Sequence, residues 1–175
     1  MPLPSSVRNL SITDTFIEWK SFSESGLDVC KRFPLDTWHR IVEEFRSDDE
    51  WRTYLKEYAD YVQCYILYRC NDNVPIAFSF FLQEDEKGQV VSIHGGGWKH
   101  RNTLLYYRGL IALIQALLNA KIKVRTTCLK DNKVAARFIL SVGFVKYKDS
   151  VNSLQFWIND RRLHNSKVYK RIFKG

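Results

Sequence analysis

The amino-acid sequence predicts a single α/β (α+β) domain, a mixed and twisted β-sheet of about six to seven strands flanked by about four helices. The first observation is size, because 175 residues of which 45% are apolar can bury one core without disulfides or a metal. The second is that helical and strand-like segments alternate along a chain with no repeat or linker. No apolar run approaches the ~18–20 residues of a membrane span, and residues 1–10 lack the apolar centre of a signal peptide.

The first third of the chain predicts one strand and two helices. Residues 7–19 are rich in β-branched and aromatic side chains, which favour a strand. Residues 35–46 predict a helix, because their apolar side chains recur at helical spacing. Ser47 and Glu50 form a capping-box pattern that predicts the start of a second helix ending near residue 60.

A run of strands follows. Residues 61–70 and 74–83 predict two strands, and the Asn-Asp-Asn sequence at 71–73 joins them as a hairpin. The turn at residues 86–89 leads into a third strand, which begins at residue 90 and is expected to end near His94.

The second half begins with a long helix that Asn102 or Thr103 caps. A strand over residues 122–129 and a helix over 132–142 come next, and Gly143 is well suited to end that helix. Two last strands are expected around residues 144–148 and 153–158. The strand, long helix and strand over residues 90–129 predict a parallel pair with a right-handed crossover. The apolar stripe of the long helix consists of Tyr107, Leu110, Ile111, Ile114, Leu117 and Leu118.

Charge is divided unevenly along the chain. Residues 1–90 carry a net charge of −6, whereas residues 91–175 carry +14. This division suggests a polyanionic ligand for the second half, although a scattered solvated surface explains it too. We place the domain at residues 1–160, and residues 161–175, with six Lys/Arg and no acid, form a basic tail or a short helix.

The four cysteines, Cys30, Cys64, Cys70 and Cys128, show neither zinc-ligand nor redox-pair spacing. We therefore expect no metal site. This cysteine usage is typical of a reduced, cytoplasmic protein.

The segment NKVAARFILSVGF, which starts at Asn132, resembles the Asn-x-x-Ala-x-Arg-Phe-Tyr-x-x-x-Gly-Phe segment of the GNAT superfamily, the acyl-CoA-dependent N-acyltransferases. The predicted order of helices and strands over residues 7–158 is similar to that family's fold. The residues in register are Asn132, Ala135, Arg137, Phe138, Gly143 and Phe144.

The resemblance implies a site for acetyl-CoA or another acyl-CoA. In this family the strands before and after the long helix splay apart around the pantetheine arm, and the pyrophosphate lies on the amides that begin the helix. A helix N-terminus suits an anion because it presents free N–H groups and a partial positive charge. The cofactor residues expected here are Gly95, Gly96, Lys99, His100, Arg101, Asn102, Thr103 and Asn132.

The sequence departs from the family pattern at two places. The usual Arg/Gln-x-x-Gly-x-Gly/Ala phosphate loop is missing, and Gly109 does not restore its register. Ile139 stands where the family often has a tyrosine that protonates the leaving thiolate. Because the pKa of a thiol is about 8.5, a thiolate is an acceptable leaving group without such an acid.

Deprotonation of an amine acceptor calls for a base, and His94 is the first candidate because it ends the strand that borders the expected gap. The alternative is a packed histidine without a role. His100 is the second candidate, while Glu84 and Asp85 could act through water. The predicted early helices carry acids that suit a cationic acceptor or simply a solvated face: Glu43, Glu44, Asp48, Asp49 and Glu50.

The sequence offers three alternative functions. The HGGGW sequence at 94–98 resembles an α/β-hydrolase oxyanion loop, but the chain has no Gly-x-Ser-x-Gly nucleophile elbow. The net charge of +8 suggests a nucleic-acid-binding module, but no binding motif accompanies it. A GNAT-like protein that binds an acyl-CoA or a partner without catalysis is the third.

The sequence therefore predicts an N-acetyltransferase that moves an acyl group, with acetyl expected, from CoA to a small-molecule or peptide amine by direct attack. His94 is the expected base. Nucleic acid and membrane are not expected as partners, and the patterns specify neither the acceptor nor the oligomeric state.

Overall fold

The computed structural model describes residues 10–21, 62–97 and 103–174. These residues form eight strands and four helices. The strands are β1 (Ile12–Thr13), β2 (Ile17–Ser21), β3 (Val62–Arg69), β4 (Val74–Gln83), β5 (Val90–Gly97), β6 (Lys123–Leu129), β7 (Val145–Asp149) and β8 (Ser153–Ile158). The helices are α1 (Thr103–Asn119), α2 (Lys133–Val142), α3 (Asp160–Asn165) and α4 (Lys167–Phe173).

The strands form one mixed sheet, in the order β1-β2-β3-β4-β5-β6-β8-β7. Strands β5 and β6 pair in parallel, and every other neighbouring pair is antiparallel. The α1 crossover between β5 and β6 produces this parallel pair, because a chain must cross over to re-enter a sheet in the same direction. The predicted mixed α+β architecture is thus confirmed.

The described residues form eight strands rather than six to seven, because the segment predicted as one strand over residues 7–19 holds β1 and the start of β2. Within the described part of that segment, the chain turns at Asp14 and forms the β1–β2 hairpin. The Asp14 carboxylate accepts hydrogen bonds from the Phe16 amide and from the Thr15 hydroxyl, each at 3.1 Å. A short polar side chain that bonds to the backbone in this way stabilises a turn, and the β-branched composition concealed it.

Helix α1 covers one face of the sheet with the apolar stripe that the sequence indicated. Leu110, Ile111, Ile114 and Leu117 are buried, whereas Tyr107 and Leu118 are only partly buried. Gly109 lets the helix approach the sheet, because a Cβ there would lie 2.6 Å from a Leu67 methyl carbon. The Trp19 indole donates a hydrogen bond of 2.8 Å to the Gly109 carbonyl. Gly109 is therefore a packing residue.

The last two helices cover α1 and α2. Leu163 of α3 is completely buried, and Val168, Tyr169 and Ile172 of α4 pack against the same core. Residues 161–173 thus lie in short helices. The two predicted early helices over residues 35–60, with their acidic side chains, lie outside the described residues. Among the described helices, none has both the length and the apolar character that crossing a membrane requires.

Gly143 ends α2 as predicted, in the left-handed region with φ at 109°. Its amide donates to the Leu140 carbonyl, at 3.1 Å. A Cβ at this position would lie 2.6 Å from the Arg162 carbonyl oxygen, which is backbone and cannot move aside easily.

We expect Gly143→Ala to lower the free energy of unfolding by about 2–4 kcal/mol, since the positive φ and the clash with Arg162 add. Urea denaturation measures this change. Gly97→Ala is the matched control, because its Cβ would meet the Tyr106 ring at an ordinary 3.7 Å. Equal stability losses in the two variants would contradict the prediction.

Candidate functional site

The central feature of the sheet is a divergence between β5 and β6. The two strands pair at only three positions, Val90 with Lys123, Val91 with Val124 and Ser92 with Arg125. Beyond Ser92, β5 stays with β4 as far as Gly97, whereas β6 stays with β8 as far as Leu129. The sheet therefore opens between two strands that are each held by their other neighbour.

The opening holds a cavity of about 460 Å³. Its walls come from the diverging parts of β5 and β6 and from α1 and α2. Because successive residues of a strand direct their N–H and C=O groups to opposite sides, some of those on β5 beyond Ser92 face the opening without a β6 partner. Mostly apolar walls with a few polar groups are typical of a site for an elongated small molecule.

Helix α1 borders this opening through its first turn, where Tyr106 lines the cavity. The helix is 17 residues long and has no acidic residue in its first turn. The amino end of a helix carries a partial positive charge, so this end is suited to an anion. Of the predicted phosphate-binding residues, Thr103 begins the helix, whereas Lys99, His100, Arg101 and Asn102 lie outside the described residues.

The glycines of β5 border the opening. The strand continues through Gly95 and Gly96 to Gly97 rather than ending near His94 as predicted, because β4 pairs with it throughout. All three glycines line the cavity. A Cβ on Gly95 would lie 2.5 Å from the Phe78 carbonyl oxygen, so this position is closed to larger residues.

Asn132 caps α2 and lines the same cavity. Its side-chain oxygen accepts a hydrogen bond of 3.0 Å from the Ala135 amide. This bond satisfies one of the free amides of the first turn, which explains the preference for asparagine there. The cap also places the first turn of α2, including Ala135, against the opening.

His94 is half-buried and lines the cavity from β5. Its Nε2 lies 3.1 Å from the buried Ser92 hydroxyl, and within the described residues Nδ1 has no protein partner. Burial lowers the pKa of His94 from 6.5 to about 4, and the Glu84 carboxylate partly opposes this change. Glu84 itself is held by Arg125 at 2.9 Å. His94 is therefore neutral at pH 7, as a proton acceptor must be.

The lowered pKa predicts how stability depends on pH. The unfolded chain takes up a proton at His94 near pH 6.5 and the folded chain only near pH 4, so stability is lost as pH falls between these values. Between pH 7.0 and pH 4.5, we expect the free energy of unfolding of His94→Gln to fall by about 2 kcal/mol less than that of the unmodified protein. Urea unfolding at pH 7.0 and pH 4.5 measures the difference. Equal pH dependence in both proteins would contradict it.

The structure adds cavity residues that the sequence analysis did not select. Ser79 of β4 and Tyr106 of α1 both line the cavity, and the Tyr106 ring stacks on Phe138 at 5.6 Å. Burial raises the pKa of the Tyr106 hydroxyl, so it stays protonated at neutral pH. Tyr106 lies one helical turn before Leu110 of the predicted apolar stripe, a spacing that could have identified it. Ser79 interrupts an apolar strand, which was the available signal.

Ile139 is buried in the cavity wall, and its side chain cannot donate a proton. Cys128 of β6 lines the cavity as well, and burial raises the pKa of its thiol. The thiol is therefore protonated and weakly nucleophilic at pH 7.

No family model matches the sequence, and no curated protein matches it either. Solved structures do match. An apo nucleotide-linked sugar GNAT aligns with a TM-score of 0.69 at 14% identity, covering 95% of this chain and 99% of that one. Spermidine N-acetyltransferase from Vibrio cholerae, in complex with CoA and spermine, aligns with a TM-score of 0.63 at 11% identity, covering 87% of this chain and 100% of that one.

A GCN5-related N-acetyltransferase from Brucella melitensis gives a TM-score of 0.69 at 11% identity, covering 98% of this chain and 86% of that one. Identities this low establish a shared fold. The resemblance that the segment after Asn132 indicated is thereby confirmed for the architecture.

Proposed function

We propose that this chain, which has the GNAT acetyltransferase fold, transfers an acyl group, with acetyl expected, from CoA to an amine. The observation that carries the proposal is the divergence of β5 and β6 after Ser92, next to an α1 amino end free of acidic side chains. This arrangement suits a long ligand with phosphates at one end. The structural neighbour from Vibrio cholerae was solved with CoA and spermine, which supports the same ligand class.

The acyl-CoA supplies a thioester, whose carbonyl carbon the amine attacks to form a C–N bond while the C–S bond breaks. CoA leaves as a thiolate, which then takes up a proton from water or from the protonated His94. The protein holds the acyl-CoA in place and polarises the carbonyl group of its thioester. Backbone amides of β5 in the range 93–96 that face the opening donate hydrogen bonds to the oxygen on which negative charge develops. These amides are positioned before the reaction because β4 holds β5 in place.

His94 receives the proton that the amine loses, directly or through a water molecule. No described residue occupies its Nδ1, and its Nε2 lies at hydrogen-bond distance from the Ser92 hydroxyl. The low pKa keeps the ring neutral but makes it a modest base, so it acts best on an amine that has already lost its extra proton. The rate is therefore expected to rise with pH as the acceptor deprotonates.

The cofactor residues that we propose are the backbone of Gly95 and Gly96, the first turn of α1 from Thr103, and Asn132. We also propose as cofactor-binding residues the four that precede α1 in the sequence: Lys99, His100, Arg101 and Asn102. The net charge of +14 over residues 91–175 adds a favourable field for a polyanion. The acceptor we propose is a small-molecule or peptide amine in the cytoplasm.

Isothermal titration with CoA, acetyl-CoA and 3′,5′-ADP tests the binding step, and release of free thiol in the presence of amines tests transfer. We expect CoA to bind at micromolar concentration and to raise the melting temperature by mass action. Failure of CoA and acetyl-CoA to bind at millimolar concentration would overturn the proposal.

A protein that binds acyl-CoA without catalysis is the second candidate, favoured by the apolar Ile139 in the cavity wall. It predicts tight CoA binding with no thiol release for any amine. The thiol assay separates the two candidates on the same sample.

A further inference from the structure

A buried hydroxyl of β4 stands in the cavity wall without a hydrogen-bond partner. Ser79 has no exposed surface, and its Oγ makes no hydrogen bond within the part of the chain that the structure describes. An unpaired hydroxyl away from water costs free energy that a buried methyl group would not. Since no described residue supplies an acceptor, this hydroxyl is suited to a ligand that enters the cavity it lines.

The Ser79 hydroxyl lies next to Gly95, a residue without a side chain that lines the same opening. Ser79 is paired with Gly95 across the β4–β5 ladder, and both residues line the cavity. The Ser79 Oγ lies 2.9 Å from the point where a Cβ of residue 95 would stand. Because glycine has no side chain, nothing on β5 separates the hydroxyl from a ligand that lies along that strand.

The place of this pair along the opening decides which part of a ligand it meets. Gly95 lies three residues beyond Ser92, where β5 and β6 last pair, and before the amino end of α1 at Thr103. It is therefore at the middle of the opening, between the end suited to phosphates and the end where the strands close. The middle of an acyl-CoA is its pantetheine arm, which carries two amide groups.

We infer that the Ser79 hydroxyl donates a hydrogen bond to an amide carbonyl of the pantetheine arm and so selects a carrier with an amide at that depth. This inference rests on the proposed function. Ser79 is then a residue that positions the cofactor. Because Gly95 has no side chain, the Ser79 hydroxyl can reach the cofactor. The reacting carbon, the amine and His94 are not involved.

Ser79→Ala tests the inference because two readouts should move in opposite directions. Removal of an unpaired buried hydroxyl should leave the melting temperature of the free protein unchanged or higher. The same change should weaken CoA binding about 3- to 10-fold, the effect of losing one neutral hydrogen bond. In steady-state kinetics, KM for acetyl-CoA should rise by a similar factor while kcat is kept.

Two controls make the result specific. The affinity for 3′,5′-ADP, which lacks the pantetheine arm, should not change in Ser79→Ala. Ser153→Ala removes a hydroxyl from β8, outside the residues that line the cavity, and should bind CoA as the unmodified protein does. Both are measured by isothermal titration under the same conditions.

The outcomes separate the inference from the proposed function. If the unmodified protein does not bind CoA, the proposed function fails and the inference falls with it. If it binds CoA and Ser79→Ala binds equally well, the inference alone is overturned. An equal loss of affinity for CoA and for 3′,5′-ADP also overturns it, because the hydroxyl would then serve the fold or the nucleotide.

Discussion

His94→Ala is expected to lower kcat by about 100-fold or more, the usual contribution of a positioned general base. The dissociation constant of CoA should stay within about twofold, because the imidazole serves the amine rather than the carrier. His94 lies at the opening with one ring nitrogen on Ser92 at 3.1 Å and is neutral at pH 7. Thiol release at saturating acetyl-CoA and amine measures the rate, and titration measures the affinity.

His164→Ala is the matched control, since this histidine lies in α3, pairs with Asp160 at 3.2 Å and is outside the cavity lining. It should keep full activity. Ser92→Ala should have an intermediate effect, because the ring stays but loses the hydroxyl that orients it. A kcat of His94→Ala equal to that of the unmodified protein would show that the amine loses its proton without help from this side chain.

The second large effect is expected from Ala135→Phe, which should weaken CoA binding by about 100-fold or more. Ala135 lies in the first turn of α2 and lines the cavity, so a benzyl group there occupies space that the carrier needs. A cavity of about 460 Å³ leaves little room to accommodate both. Titration with CoA measures the loss, and thermal denaturation of the free protein checks that it still folds.

Ala120→Phe is the control for this substitution, because Ala120 is exposed after the end of α1. It should bind CoA normally. If Ala135→Phe folds and keeps its affinity for CoA, then the carrier does not occupy the opening between β5 and β6, and the proposed function has to be abandoned.

Local chemistry made much of the fold predictable. The cap at Asn132 was recognised only in the structure, whereas the end of α2 at Gly143 depends on a backbone angle that acts within a few residues, so its signal is visible in the adjacent sequence. The Asn-Asp-Asn turn between β3 and β4 is of the same kind. The β1–β2 hairpin was missed because Asp14 acts through its carboxylate within a run of residues that otherwise favours a strand.

The cavity residues were predicted unevenly. His94 and the glycines after it were found because they stand at the end of the apolar run that predicted β5, within the strand as the structure has it. Ser79 was not selected because its importance depends on a partner 16 positions away in sequence, Gly95, across the β4–β5 ladder. Tyr106 was not predicted as a cavity residue, because helical spacing identifies an apolar face but does not show whether that face contacts a core or a cavity.

The sequence by itself determined most of the described strands, helices α1 and α2, the parallel relation of β5 and β6, and the resemblance of the segment after Asn132. These follow from periodicity, capping and connection length, which act along the chain. Only the tertiary structure decided that β5 and β6 part after Ser92, that His94 is buried enough to stay neutral, and that the Ser79 hydroxyl faces an opening. Such features depend on how strands and helices that are distant in the sequence pack together. The local sequence does not specify this packing.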